Sequence, residues 1–312
     1  MTNMKKLGLT ALAGSLVATS AYAGELAVSG TAKLTYASQH DTETTGNPYS
    51  MSKGIGFSGS GDLDNGMAIA YQYTMTDAAF SSSSLKLDMG DTGTLSFSNG
   101  AGTTGISAYD DKMPTAGEEV WDDLDGQANG VATISNKGTI GYAGSFGPVG
   151  VSASYNKDDK ASPTTTAGSS HSLVVSMSPA DGVTAFIGTG DKSGSTANNG
   201  TDMYTAGVTY TAGAFTLGFQ TTDIDVSAVN GDTDRNHLAA SFAVNENMSI
   251  SYGMSTVGFE DPAKVDQEDA GVAVSYTMGS MTLGAFRNTS DDVAGTASAE
   301  DSVTEVSLAF AF

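Results

Sequence analysis

The sequence predicts an all-β fold, a 16-stranded antiparallel transmembrane β-barrel, from three observations. Hydrophobic residues recur at every second position in short segments, short and long connections alternate along the chain, and the last segment ends on Phe312. A period of two is typical of strands with one face in lipid and the other in water. Unpaired backbone groups are costly in hydrocarbon, so sixteen such strands must close into a cylinder.

The final segment shows the alternation along its whole length. One face carries Ser302, Thr304, Val306, Leu308, Phe310 and Phe312. The other face carries Val303, Glu305, Ser307, Ala309 and Ala311, which are small or polar apart from Val303. Bacterial outer-membrane barrels commonly close with such a strand. We therefore predict that Phe312 is a C-terminal insertion signal, recognised by the barrel-insertion machinery.

The first segment of the barrel has the same two faces. Leu26, Val28, Leu34 and Tyr36 share one face, and Ser29, Thr31, Lys33 and Thr35 share the other. Strands of about 10 residues suit a thin bilayer that is crossed at a tilt. Alternation alone would also permit a soluble, secreted all-β protein.

The order of the connections distinguishes these two alternatives. Short links are predicted at 61–66, 90–93, 147–148, 179–182, 211–213, 245–247 and 279–280. Longer links are predicted at 40–50, 99–137, 157–170, 191–201, 223–236, 257–269 and 289–301, and the second one, 77–81, is barely longer than a turn. A soluble sandwich has no reason to sort its connections in this way. A barrel inserted from one side does, because its short turns stay on the entry side.

The N-terminal residues predict export. Lys5 and Lys6 precede an apolar stretch at 7–17, and Ala21-Tyr22-Ala23 fits a small-x-small cleavage site. We predict a cleaved signal peptide at 1–23 and a barrel domain at 24–312, located in the cell outer membrane. A membrane anchor is the alternative, but the stretch is shorter than the roughly 20 residues of a spanning helix.

Composition excludes several classes of protein. The chain has 13 basic and 35 acidic residues and a net charge of −22, which excludes nucleic acid as a partner because phosphate contacts need Lys and Arg. Hydrophobic residues make up 39%, with 12 Tyr and 12 Phe, too many for a disordered chain. The absence of cysteine excludes thiolate metal sites.

Residues 99–137 form the longest predicted connection, and loops of that length are usually functional or disordered. Tyr109 and Trp121, the single tryptophan, are candidate apolar anchors. The segment also holds seven carboxylates: Asp110, Asp111, Glu118, Glu119, Asp122, Asp123 and Asp125.

Two motifs in this segment carry a resemblance to a known family. They are Ala108-Tyr109-Asp110-Asp111-Lys112-Met113-Pro114 and Glu118-Glu119-Val120-Trp121. The chain resembles the general diffusion porins of Gram-negative outer membranes, in particular their alphaproteobacterial, trimeric branch. The resemblance implies a long third loop folded into the pore, here 99–137. It also implies a homotrimer, and a water-filled channel for passive diffusion of small hydrophilic solutes and ions.

The resemblance also implies a pore constriction in which acidic residues of the third loop face basic residues of the barrel wall. The acidic set would be the seven carboxylates above, and the basic candidates are Lys33, Lys86 and Arg287, of which Arg287 is ambiguous because Phe286 could reverse its register. Because the cations are few, we predict a cation-preferring pore. Two alternatives remain for the acidic residues, an ordinary solvated outer loop and a structural Ca²⁺ site at Asp122, Asp123 and Asp125. No other cofactor is expected.

The sequence gives no support for an enzyme. Its histidines, His40, His171 and His237, all lie near predicted loop ends, and no recognisable set of Ser, His and Asp surrounds them. The alternative function is a barrel with an adhesive or structural role and no open pore.

Overall fold

The computed structural model describes residues 26–40, 46–77, 79–100, 104–110, 112–126, 130–131, 137–157, 168–193 and 200–312. Each strand pairs antiparallel with its sequence neighbours, and β1 pairs with β16 to close a barrel of 16 strands. This confirms the predicted fold class. The strands are β1 (Leu26–Gln39), β2 (Tyr49–Asp62), β3 (Ala68–Thr76), β4 (Ala79–Asp88), β5 (Thr94–Asn99), β6 (Lys137–Phe146), β7 (Val149–Lys157), β8 (Ser169–Ala180), β9 (Val183–Ser193), β10 (Thr201–Ala212), β11 (Phe215–Val226), β12 (Thr233–Ala243), β13 (Met248–Phe259), β14 (Gln267–Met278), β15 (Met281–Asp291) and β16 (Glu300–Ala311).

The two faces of the wall differ in chemistry as the alternation predicts. Large apolar side chains such as Ile187 and Leu26 are exposed on the outside, at 66% and 62% of their surface. The inner face carries mainly Ser, Thr, Gly and Asn, interrupted by a few apolar side chains that are described below. An apolar outer face and a polar inner face match a cylinder with lipid outside and water inside. No helix among the described residues is both long and apolar enough to cross a membrane.

The connections are sorted by length to the two ends of the barrel. Short turns at 63–67, 89–93, 147–148, 181–182, 213–214, 244–247 and 279–280 lie at one end. The strand ends that the longer connections join lie at the other end, together with the link of two residues between β3 and β4.

Several long loops are shorter than the sequence predicted. Residues 223–236 were expected to form a loop, but β11 continues to Val226 and β12 already begins at Thr233. Asp223 pairs with Asp234 in this extension. Ladder hydrogen bonds join backbone groups and need no apolar side chains, so the strands continue past the apolar band.

The seam between the first and last strands is closed by reciprocal backbone bonds. The Gly30 N–H donates to the Phe312 carbonyl oxygen at 3.1 Å, and the Phe312 N–H donates to the Gly30 oxygen at 2.8 Å. The Phe312 side chain is 71% exposed. The predicted signal peptide at 1–23 lies outside the described residues.

Candidate pore constriction

The described parts of the connection between β5 and β6, 104–110, 112–126 and 130–131, lie inside the barrel and contact its inner wall. Its first described part contains a short 3₁₀ helix, Ile106–Tyr109. The Gly105 and Ile106 N–H groups donate to the hydroxyl oxygens of Ser152 and Ser172, at 2.8 and 2.9 Å. Both serines lie on the inner face, on β7 and β8. The loop is therefore inside the lumen at Gly105.

Apolar side chains on the inner face mark where the loop packs. The first cluster joins Ile106 and Val131 of the loop to wall residues of β8 to β11, namely Val174, Phe186, Met203 and Ile224. Tyr109 packs against this cluster, with its ring centroid 4.9 Å from that of Phe186. Apolar area removed from water stabilises this contact.

Trp121 anchors the next part of the loop. It is 2% exposed and lies in a cluster with Met113, Val120 and Ala239. Its ring contacts the buried imidazole of His237 on β12, with centroids 4.3 Å apart. His237 is therefore inside the barrel and not at a loop end as the sequence indicated, because β12 begins four residues before it at Thr233.

A third cluster fixes the segment from Ala116 to Leu124 to β14, β15 and β16. Ala116 and Leu124 pack against Ala273, Phe286 and Val303. Val303 was the one large apolar residue on the polar face of the last segment. Its position beneath the loop explains that exception.

Two wall glycines let the loop approach closely. A Cβ on Gly253 would lie 2.6 Å from Cγ1 of Val120, and a Cβ on Gly218 would overlap Cδ of Pro114. Glycine at both positions removes the side chain that would otherwise displace the loop.

Side chains of the wall also hold the loop through its backbone. Asn288 Nδ2 donates to the carbonyl oxygens of Glu119 at 2.9 Å and Asp122 at 3.1 Å. The Ala116 N–H donates to Ser251 Oγ at 2.9 Å, and the Asp125 N–H donates to Asp301 Oδ2 at 2.7 Å. Gln220 Nε2 donates to the Tyr109 and Gly130 oxygens at 3.0 and 3.3 Å. Tethers on several strands fix the backbone from which the acidic side chains project.

The predicted acidic residues divide into groups with different surroundings. Oxygen atoms of Glu118, Glu119 and Asp122 all lie within 4.8 Å of one another. Asp123 and Asp125 are exposed on the same turn. Asp110 Oδ1 accepts a hydrogen bond from the Val131 N–H at 2.8 Å, so it supports the loop itself. Asp111 lies outside the described residues.

Among these carboxyl groups, Glu118 has a shifted pKa. Burial raises its pKa above the ordinary value of 4.5, Lys33 opposes the shift, and the negative charges of Asp122, Glu305 and Asp123 add to it. Glu118 therefore takes up a proton at a higher pH than a solvated glutamate would.

The predicted basic residues are not equivalent. Lys33 Nζ lies 2.7 Å from Oε1 of Glu305 and 3.8 Å from Oε1 of Glu118. Its positive charge is therefore paired with two carboxylates. Lys86 is exposed on the inner face of β4, beside Ser96 of β5. Arg235, on the inner face of β12, interacts electrostatically with Asp110 and was missed, because its neighbours had been assigned to a loop.

Arg287 does not line the pore, contrary to the prediction. Its cross-strand partner is Val272, which is 53% exposed on the outer face. The adjacent Phe286 points inward and is 6% exposed beneath the loop. Because neighbouring residues of a strand face opposite sides, Arg287 points outward.

A family model described as Gram-negative porin matches residues 8–312. The chain belongs to the Gram-negative porin family. This porin is thus an outer-membrane channel, and family and fold together imply a channel rather than an enzyme.

Solved porin structures share the fold at low sequence identity. A mutant of Rh. blastica porin is 15% identical, with a TM-score of 0.65 over 92% of this chain and 100% of that chain. A porin refined at 1.8 Å resolution is 13% identical, with a TM-score of 0.70 over the same shares. No curated protein matches this sequence.

Proposed function

We propose that this porin conducts small hydrophilic solutes and ions by passive diffusion and prefers cations. The observation that carries the proposal is the convergence of Glu118, Glu119 and Asp122 on a loop held inside the lumen. Lining charge decides which ions enter a wide, water-filled pore. The nearby cation Lys33 is already opposed by Glu305 and Glu118, so the constriction carries excess negative charge.

The test is the reversal potential of single channels in a planar bilayer across a KCl gradient. The expected sign is that of potassium permeation. The triple variant E118Q/E119Q/D122N reduces the potential towards zero. A matched control, D64N/D181N/E246Q, removes three exposed charges from the short turns and leaves the potential unchanged. An anion-preferring wild type refutes the cation preference, and a silent barrel favours the adhesive or structural alternative.

The remaining parts of the proposal concern assembly and export. We propose a homotrimer, inserted by the barrel-insertion machinery through the strand that ends at Phe312, after cleavage of residues 1–23. Conductance in triplet steps supports the trimer. Mass determination in detergent measures the same state independently, and a monomer refutes it.

The predicted Ca²⁺ site stays a proposal with a changed ligand set. Of the predicted Asp122, Asp123 and Asp125, only Asp122 belongs to the group of carboxylates that lie together with Glu118 and Glu119. Hard cations take several carboxylate oxygens, so this group is the one that fits. Isothermal titration with CaCl₂ of the wild type and of E118Q/E119Q/D122N tests it.

A further inference from the structure

The outer face shows a sharp boundary between apolar and polar side chains on β11, β12, β13, β15 and β16, whereas on β14 the outward residue that follows Val272 towards the long loops is Ala270. Moving towards the long loops, the outward-facing residues change from Phe219 to Thr221, Leu238 to Asn236, Met254 to Thr256, Ala285 to Arg287 and Val306 to Thr304. Arg287 is thus in the first polar level beyond the apolar band. In a barrel, that level lies at the boundary between acyl chains and headgroups.

A groove in the outer wall begins at Arg287 and Thr304. It has a volume of about 640 Å³, and its apolar lining includes Phe242, Ile250, Tyr252, Val272 and Val274. Ala240 and Ala285 are also among its lining residues. Two small side chains among larger ones leave a depression in an otherwise continuous apolar surface.

The groove residues occupy two adjacent rows of cross-strand pairs. Thr304, Arg287, Val272, Tyr252 and Ala240 form the row nearer the long loops. Ala285, Val274, Ile250, Phe242 and Phe215 form the next row. The Phe215 and Phe242 rings, with centroids 4.4 Å apart, stand at the far end of this row. The depression is therefore polar at one end and apolar along the rest.

The Arg287 guanidinium has more N–H donors than the one that binds Thr304. Its Nη1 donates to Thr304 Oγ1 at 2.9 Å, whereas a guanidinium carries five N–H donors. Among the described residues, no carboxylate forms an ion pair with the Arg287 guanidinium. The outward-facing Lys53 differs, because Asp77 lies 3.1 Å from its Nζ.

We propose that Arg287, Thr304 and this groove bind one phosphate-bearing lipid of the outer leaflet. The guanidinium fork holds the headgroup phosphate through charge-assisted, bidentate hydrogen bonds, and Thr304 fixes the orientation of that fork. An acyl chain lies in the depression over Ala240 and Ala285. The site rests on the proposed function as an outer-membrane porin, whose long loops lie at the outer leaflet when the short turns stay on the entry side.

Binding is tested with purified protein by native mass spectrometry, which counts the lipids retained when detergent is removed. The probes are dioleoylphosphatidylglycerol, dioleoylglycerol with the same chains but no phosphate, and inorganic phosphate alone. The wild type is expected to retain one phosphatidylglycerol per chain, in preference to dioleoylglycerol. Full displacement of that lipid by inorganic phosphate overturns the lipid proposal in favour of an anion site.

Three variants localise the site. R287Q weakens phosphatidylglycerol retention about tenfold or more, the loss expected for one strong charged contact. K53Q, which removes an outward-facing cation that is already paired, retains the lipid like the wild type. A285L keeps the arginine but fills the depression and also weakens retention.

Two outcomes overturn the proposal. One is equal retention by R287Q and the wild type. The other is a lower oligomeric state of R287Q, which assigns the groove to an interface between copies of the chain. Conductance of R287Q stays at the wild-type value in all of these cases, so a failure of the channel function is recognised separately.

Discussion

The indole of Trp121 on the constriction loop lies against the imidazole of His237 on β12, with ring centroids 4.3 Å apart and planes inclined at 48°. Both residues are almost fully buried, at 2% and 1% exposure. The contact joins the loop to the wall in the interior of the barrel. Tryptophan is therefore an anchor of the loop and not a membrane-interface residue here.

Replacing Trp121 by Ala is expected to loosen the loop without unfolding the barrel. Truncation of a buried tryptophan costs roughly 3–5 kcal/mol, whereas the strand ladder does not involve its side chain. Single channels of W121A should show a changed conductance and greater current noise, while the β-sheet circular dichroism stays constant. W121F should lie closer to the wild type, and a quiet W121A channel of normal conductance would contradict the anchoring role.

Asn288 is expected to control the position of the acidic residues. N288A leaves the carbonyl oxygens of Glu119 and Asp122 without their donor, a loss of about 1–3 kcal/mol. The reversal potential in a KCl gradient should fall towards zero as the carboxylates disperse. N236A, on the outer face, serves as the control and should keep the wild-type value. An unchanged potential in N288A would show that the acidic group does not depend on this tether.

Removal of Lys33 is expected to strengthen cation preference. K33Q deletes the charge that opposes Glu118 and Glu305, so the constriction becomes more negative. The pKa of Glu118 also rises further, because Lys33 is the cause that lowers it. Reversal potentials measured at neutral pH should increase in magnitude, and a decrease would mean that Lys33 organises the carboxylates more than it neutralises them.

Acidification is expected to reduce cation preference in a window that begins above pH 4.5. Glu118 has a raised pKa in the folded protein, chiefly through burial, so it loses its charge before solvated carboxylates do as the pH falls. Because the pKa of Glu118 is raised in the folded protein, protonation of Glu118 also stabilises the folded state. The stabilisation from its proton uptake is fully present below pH 4.5 and is lost as the pH rises through the folded pKa. Reversal potentials recorded from pH 7 to pH 4 should show an early decline that E118Q lacks.

The barrel itself could be predicted because the alternation of apolar and polar residues and the order of short and long connections can be read directly from the sequence. The alternate apolar residues Leu26 and Val28 predict an outer face, and a connection of two residues, as at 147–148, predicts a turn. Strand ends were less accurate, as at Thr233, since backbone pairing continues where the apolar pattern stops.

The constriction was only partly predictable, because the loop path depends on contacts between distant residues. Val303 and Phe286 were visible as apolar exceptions on a polar face, and such exceptions mark the strip that the loop covers. The convergence of Glu118, Glu119 and Asp122 was not visible, since it follows from tethers such as Asn288 and Ser251. The register of Arg287 could not be fixed for the same reason.

The attachments of the loop have a consequence for molecular sieving. The hydrogen bonds described above come from β7, β8, β11, β13, β15 and β16, and none of those bonds comes from β2, β3 or β4. That stretch of wall presents Ser52, Gly54, Gln72 and Ser84 to the lumen. Bulkier side chains there would lower the size limit for solutes and leave the carboxylates in place. Ser52 pairs with Lys33, whose Nζ lies 3.8 Å from Glu118, so size and charge are set by adjacent residues at that point. Gln72 and Ser84, which lie on β3 and β4, are the positions where the size limit can be altered separately from the charge.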